Sequence, residues 1–189
     1  MRTAAVLFTC GLAMATYSLN ASSNANLPDG WSVVGEAPKL YSASVDTSDS
    51  PSGKGSMVLR RTETSHPFGS AQLSQSIPVD AYAGKRVQVS VRARFQDIKP
   101  IEGQIFIGTE SGSHLHGSEV GDDWTLFEST VTFPVSLKKL AVGVGLKGTG
   151  SAKVDSIELT VLGDAPPDQS GVSIADPKLN GQIIAKESR

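Results

Sequence analysis

Along residues 85–95 the chain alternates with a period of two. Val87, Val89, Val91, Ala93 and Phe95 fall on one side of an extended backbone, and Arg86, Gln88, Ser90, Arg92 and Arg94 fall on the other. Successive side chains of a strand point to opposite faces, so the pattern predicts a strand with one dry face and one wet, cationic face. A strand that is wet on one side belongs to an antiparallel sheet, because parallel sheets are covered on both faces. Similar short runs recur between turn formers: Trp31–Val34, Tyr41–Val45, Ser56–Arg61, Ser70–Ile77, Lys85–Phe95, Gly103–Thr109, Trp124–Phe133, Lys139–Lys147 and Ser151–Val161. No stretch keeps apolar residues at helical spacing for three turns. Many short strands punctuated by Gly, Pro, Ser and Asp predict an all-β fold, a two-sheet antiparallel β-sandwich of the jelly-roll kind.

The two ends of the chain read differently. Met1-Arg2-Thr3 precedes an apolar stretch from Ala4 to Ala15, the pattern of a secretory signal peptide too short to remain as a membrane span. Cleavage after Ala15 or after Ala21 fits, and Ala21 is preferred, which gives a leader at 1–21 and a sandwich at 22–162. Beyond Leu162, turn formers without apolar partners predict a mostly disordered tail at 163–189, with room for a short docking strand at Gln182–Ala185.

Composition narrows the setting. Cys10 is the only cysteine and lies in the leader, so the mature chain holds neither disulfide nor thiolate and is expected in a bacterial periplasm or outside the cell. About 140 residues remain for the sandwich, enough for one domain with a full core. Without Arg2, 16 basic side chains face 19 acidic ones, a balance that argues against nucleic acid as a partner.

Several phrases then acquire meaning by their order. Gly30-Trp31, Ser52-Gly53-Lys54-Gly55-Ser56, Tyr82-Ala83-Gly84-Lys85-Arg86-Val87, Asp123-Trp124, and Gly148-Thr149-Gly150 leading into Val154-Asp155-Ser156-Ile157-Glu158-Leu159 together resemble the galactose-binding-like jelly rolls. That group includes many carbohydrate-binding modules and small bacterial sandwich domains, some attached to transcription regulators. The resemblance spans roughly Gly30 to Val161. It implies structural roles for Trp31 and Trp124, and a structural calcium held by Asp155 with a carbonyl of the Pro51–Lys54 turn. Two departures weigh against the calcium: Lys153 stands where the family often has an aromatic, and Asn26-Leu27-Pro28-Asp29 lacks the acidic Asn-x-x-Phe-Glu phrase. The other reading of Asp155 is a hydrogen-bonded carboxylate where two strands meet. No other cofactor is expected.

Candidate chemistry is sparse. His114 and His116 share a face if extended, as a metal pair requires, with His66 the remaining nitrogen; their Gly/Ser setting also suits solvated or ligand-contacting side chains. Glu119, Asp122 and Asp123 before Trp124 read as a solvated turn. No Gly-x-Ser-x-Gly, phosphate loop or His-Glu-x-x-His phrase occurs, so no enzyme is expected. If Ile105 and Ile107 face the core, Gln104 and Phe106 face outward. Leu140, Val142, Val144 and Leu146 likewise leave Ala141, Gly143, Gly145 and Lys147 outside, where small residues admit a close approach. The expected recognition face therefore joins Arg92 and Arg94 with Gln104, Phe106, His114, His116 and Lys147, with Phe106 and Tyr41 as platforms and the arginines suited to an anionic glycan. Carbohydrate or a related polar ligand is the leading reading. The alternatives are a protein-interaction or envelope-assembly domain without glycan affinity, and a small hydrolase or lyase using His114 or His116.

Overall fold

The computed structural model describes residues 27–62, 69–99, 102–109, 112–117, 122–166, 173–174, 178–179 and 182–183. The leader expected at 1–21 and His66 lie outside them. Thirteen strands form in these segments. They are β1 (Trp31–Val34), β2 (Tyr41–Asp46), β3 (Ser56–Arg61), β4 (Ser70–Pro78), β5 (Lys85–Gln96), β6 (Gly103–Thr109), β7 (Gly112–Gly117), β8 (Thr125–Thr132), β9 (Lys139–Lys147), β10 (Ser151–Asp164), β11 (Ser173–Ile174), β12 (Lys178–Leu179) and β13 (Gln182–Ile183). Two antiparallel sheets result. One has the order β1-β4-β9-β6-β7; the other runs β13-β12-β8-β5-β10-β3-β2, with β11 also on β8. The β-sandwich expected from the alternation is the fold observed.

The core lies where the two inner faces meet. Val87, Val89, Val91, Ala93 and Phe95 are sealed from solvent, while each even-numbered neighbour in β5 retains some contact with it. From the opposite sheet, Leu73, Ile105, Ile107, Leu140, Val142, Val144 and Leu146 complete the same cluster. A single slip in register would turn every one of these side chains outward, which is why burial pins the pairing.

Three departures from the sequence reading matter. The histidine segment is a strand, β7, paired with β6 so that His114 lies opposite Ile107 and His116 opposite Ile105. Its flanking glycines and serines disguise an edge strand as a loop. In the C-terminal segment β11 and β12 each pair with β8, and β13 at Gln182–Ile183, within the stretch that had room for a docking strand, pairs with β12. Finally, β10 carries a bulge. Val154 pairs with Ala93 and Ser156 with Arg92, which leaves Asp155 as the extra residue. The signal was in the sequence, since inward positions shift there from Ala152 and Val154 to Ile157 and Leu159.

Candidate functional site

The expected recognition face is divided between the two sheets. Arg92 and Arg94 lie on β5, which pairs with β8 and β10, whereas Gln104 and Phe106 lie on β6, which pairs with β7 and β9. Both sets face outward, on opposite sides of the sandwich. Strand β6 follows β5 in the chain but crosses to the other sheet, so sequence adjacency misled the assignment. Lys147 ends β9 and belongs with Gln104 and Phe106. By register His114 and His116 alternate with Leu115, which lies opposite Phe106.

The outer face of the eight-stranded sheet is occupied by its own chain. Lys153 stands beside Arg94 on this face yet is only 7% exposed. Its ammonium donates to Asp46 Oδ2 at 2.9 Å and to Asp49 Oδ2 at 2.6 Å. Asp49 also accepts from Arg94 at 3.0 Å and, through Oδ1, from the Trp124 indole at 3.0 Å. One carboxylate thus gathers groups from β10, from β5 and from the residue before β8, drawing the 47–55 loop across the sheet. The hydrogen bond from Ser48, with that from Lys153, holds Asp46 well below the usual carboxylate range. Lys153 and then Trp124 hold Asp49 below it. Burial alone would push Lys153 down, but the hydrogen bonds to Asp49 and Asp46 outweigh it and hold the ammonium above its ordinary value. Arg94 is therefore committed to an internal ion pair, and the paired-arginine site for an anionic glycan does not form. Arg92 has no ion-pair partner among the described residues.

Asp155, at the bulge, holds the same loop from a second point. Its Oδ1 accepts from the hydroxyl of Ser50, from Ser52 N at 3.1 Å and from the Ser52 hydroxyl at 3.0 Å. Its Oδ2 is enclosed and without a partner among the described residues. Calcium requires six to eight oxygen ligands. Here the turn presents an N–H to Asp155, the nearby carboxylates Asp46 and Asp49 are spent on Lys153, and among the described residues no three His, Cys, Asp or Glu side chains gather. The residues do not fit the calcium site that the resemblance implies. A chelator is expected to leave the melting temperature within about 1 °C, because stabilisation by a bound ion would appear as a loss on its removal. Thermal unfolding with and without EDTA checks this.

The outer face of the five-stranded sheet has a different character. Register aligns Ser74 with Gly143 and Phe106, Gln72 with Gly145 and Gln104, and Ser76 with Ala141 and Gly108. Along the middle strand the floor carries few side chains, but Gly143 and Gly145 are themselves buried, as are Ser74 and Phe106 beside Gly143. Gln72 and Gln104 lean in from the two sides of Gly145, each about 3.5 Å from where a Cβ would stand. Phe106 is folded back over Gly108, whose Cβ would lie 2.5 Å from the ring, and is only 9% exposed. It is not the open platform that the alternation suggested. Tyr41, the other expected platform, is buried at 4% exposure. Its hydroxyl donates to Gly69 O at 2.8 Å, and the Arg61 guanidinium lies 5.4 Å from its ring centre. Gln104 was expected on this face; Gln72, across Gly145 from it, was missed because an amide in a polar run carries neither the charge nor the ring that marks a binding residue.

No protein-family model matches the chain, and no curated protein does. Among solved structures, it superposes on the CBM22-1–GH10 modules of Clostridium thermocellum xylanase 10B, complexed with xylohexaose, at a TM-score of 0.52 and 13% identity. That match covers 75% of this chain and 28% of the other. The chain has the fold of a β-sandwich carbohydrate-binding module. The C-terminal family 22 carbohydrate-binding module of the same enzyme aligns at a TM-score of 0.49 and 13% identity, over 77% of this chain and 95% of that one. A CBM4 structure aligns at 0.45 and 20% identity, over 76% and 93%. The chain thus spans little more than a quarter of the xylanase chain it matches.

Proposed function

We propose that this domain is an exported, non-catalytic carbohydrate-binding module whose ligand lies along the outer face of the five-stranded sheet. The observation that carries the reading is Gly145, which lacks a side chain and is bracketed by the amides of Gln72 and Gln104. Gly145 is buried beneath these two flexible side chains, whose amides donate to and accept from hydroxyls at once and can turn toward a sugar laid over the strand. The opposite outer face is crossed by the Asp49 loop and offers no comparable strip. With Phe106 turned down, recognition rests on hydrogen bonds, and Lys147 at the end of the floor adds one cationic donor. The carbohydrate-binding modules that share this fold support the substrate class. The basic start and short apolar stretch expected to form a leader at 1–21 support export, and no helix among the described residues is long and apolar enough to cross a membrane.

Affinity electrophoresis of the full chain against soluble xylan, mixed-linkage β-glucan and other neutral polysaccharides tests the reading. At least one is expected to retard the protein, and Gln72→Ala with Gln104→Ala to weaken binding by about tenfold or more, the loss of one to two hydrogen bonds. Gly145→Leu fills the slot and is expected to abolish retention. Correctly folded protein that binds none of these polysaccharides, or that binds equally well with both glutamines removed, would overturn the proposal.

A further inference from the structure

A cavity of 230 Å³ opens at one end of the sandwich, between the sheets, and none of the residues of the glycine floor lines it. Trp31 of β1 and Gln75 of β4 reach it from one sheet. Met57 of β3, Lys54 of the preceding turn, and Asp155 and Ser156 of the β10 bulge reach it from the other. The bulge is what places two consecutive polar residues at this edge.

Ser56 and the Asp155 Oδ1 at this cavity are already hydrogen-bonded, but several other polar groups around it are not, among the described residues. Trp124 donates its indole N–H to Asp49, but the half-buried Trp31 indole has no acceptor among the described residues. The Gln75 amide, the Lys54 ammonium and the Ser156 hydroxyl are also without partners among the described residues. An aromatic ring and a thioether thus stand beside three polar groups able to turn toward a guest. The wall carries one ammonium and one carboxylate, which leaves no net field to select an ion. Its volume lies below the roughly 300–1,000 Å³ of clefts that take drug-sized ligands. A single ring fits and an oligosaccharide does not.

We infer that this end cavity is a second carbohydrate site, taking one neutral pyranose residue as a free monosaccharide or a chain end. A pyranose offers an apolar C–H surface to Trp31 and Met57 and a fringe of hydroxyls to Gln75, Ser156 and Lys54. The site shares no residue with the sheet face and stands or falls independently of it.

The two tryptophans make the test direct. In ¹⁵N-labelled full-length protein each contributes one indole N–H signal, assigned with a Trp31→Phe variant. Glucose, galactose, xylose and calcium chloride are each titrated to about 50 mM, a range suited to the millimolar affinity of a one-ring ligand. At least one sugar is expected to move the Trp31 signal saturably while the Trp124 signal, held on Asp49, stays in place. Gln75→Ala with Ser156→Ala is expected to weaken that response at least fivefold and to leave the Trp124 signal, and so the fold, unchanged. Gly145→Leu is expected to leave the monosaccharide response intact, which separates this site from the sheet face. A Trp31 signal indifferent to all three sugars, one that follows calcium instead, or one whose sugar response survives the double substitution would overturn the inference.

Discussion

Gly143→Ala is expected to cost about 3 kcal/mol of stability, the upper part of the range for overpacking a tight site. Gly145→Ala, two residues along the same strand and on the same face, is expected to cost little. The difference lies in what each new methyl would meet. At Gly143 it would stand 1.9 Å from the carbonyl oxygen of Leu73 and 3.0 Å from the Cα of Ser74, backbone atoms of β4 that cannot rotate away. At Gly145 it would meet only the side chains of Gln72 and Gln104, at ordinary contact distance. For a domain of this size, 3 kcal/mol corresponds to a fall of about 10 °C in melting temperature. Calorimetry on the two variants decides the matter: equal melting temperatures would mean that β4 and β9 do not approach each other as described.

The second large effect is expected at the Lys153 clamp. Lys153→Ala removes the cation between Asp46 and Asp49 and is expected to cost about 2–3 kcal/mol. This is less than the roughly 3–5 for stranding a fully buried charge, because both aspartates keep some contact with water. The pH dependence follows from the direction of each shift. The carboxylates of Asp46 and Asp49 are depressed in the folded state, so their contribution is complete above the unfolded carboxylate value near 3.9 and is lost as pH falls through the lower folded values. Lys153 is raised, so its contribution is complete below its ordinary value and is lost as pH rises through the higher folded one. Stability should therefore be flat near neutrality and should fall below about pH 4.

Lys153→Met, which keeps the aliphatic stem, is expected to flatten the acid limb while lowering the plateau. Asp80 with Lys138 and Asp164 with Lys85 shift in the same direction, but those pairs are exposed and contribute little. Denaturant midpoints measured from pH 2 to 8 for both proteins test the assignment. An acid limb of unchanged steepness in the variant would show that the clamp does not govern it.

These results bear on how far the expected site could be read from residues alone. Arg92 and Arg94 were correctly placed on an outer face, as were Gln104 and Phe106. The error was to join them, since alternation reports inside against outside and carries no label for the sheet. Arg94 also depended on Asp49, 45 positions earlier, and the burial of Lys153 on aspartates 104 and 107 positions away. No local pattern encodes contacts of that range. Phe106 illustrates a second limit: its exposure depends on its rotamer, and Gly108 beside it provides the space into which the ring folds.

By itself the sequence determined the strands of the sandwich other than β7 and the short C-terminal ones, and with them most of the core. One buried face imposes a period of two, and each of Val87 to Phe95, Ile105, Ile107 and Leu140 to Leu146 obeys it. Tertiary structure alone decided which strands became neighbours, which charges were consumed internally, and which outer face the Asp49 loop crossed. Those outcomes depend on loop crossings and on partners distant in the chain, and their free energies appear only when the sheets pack.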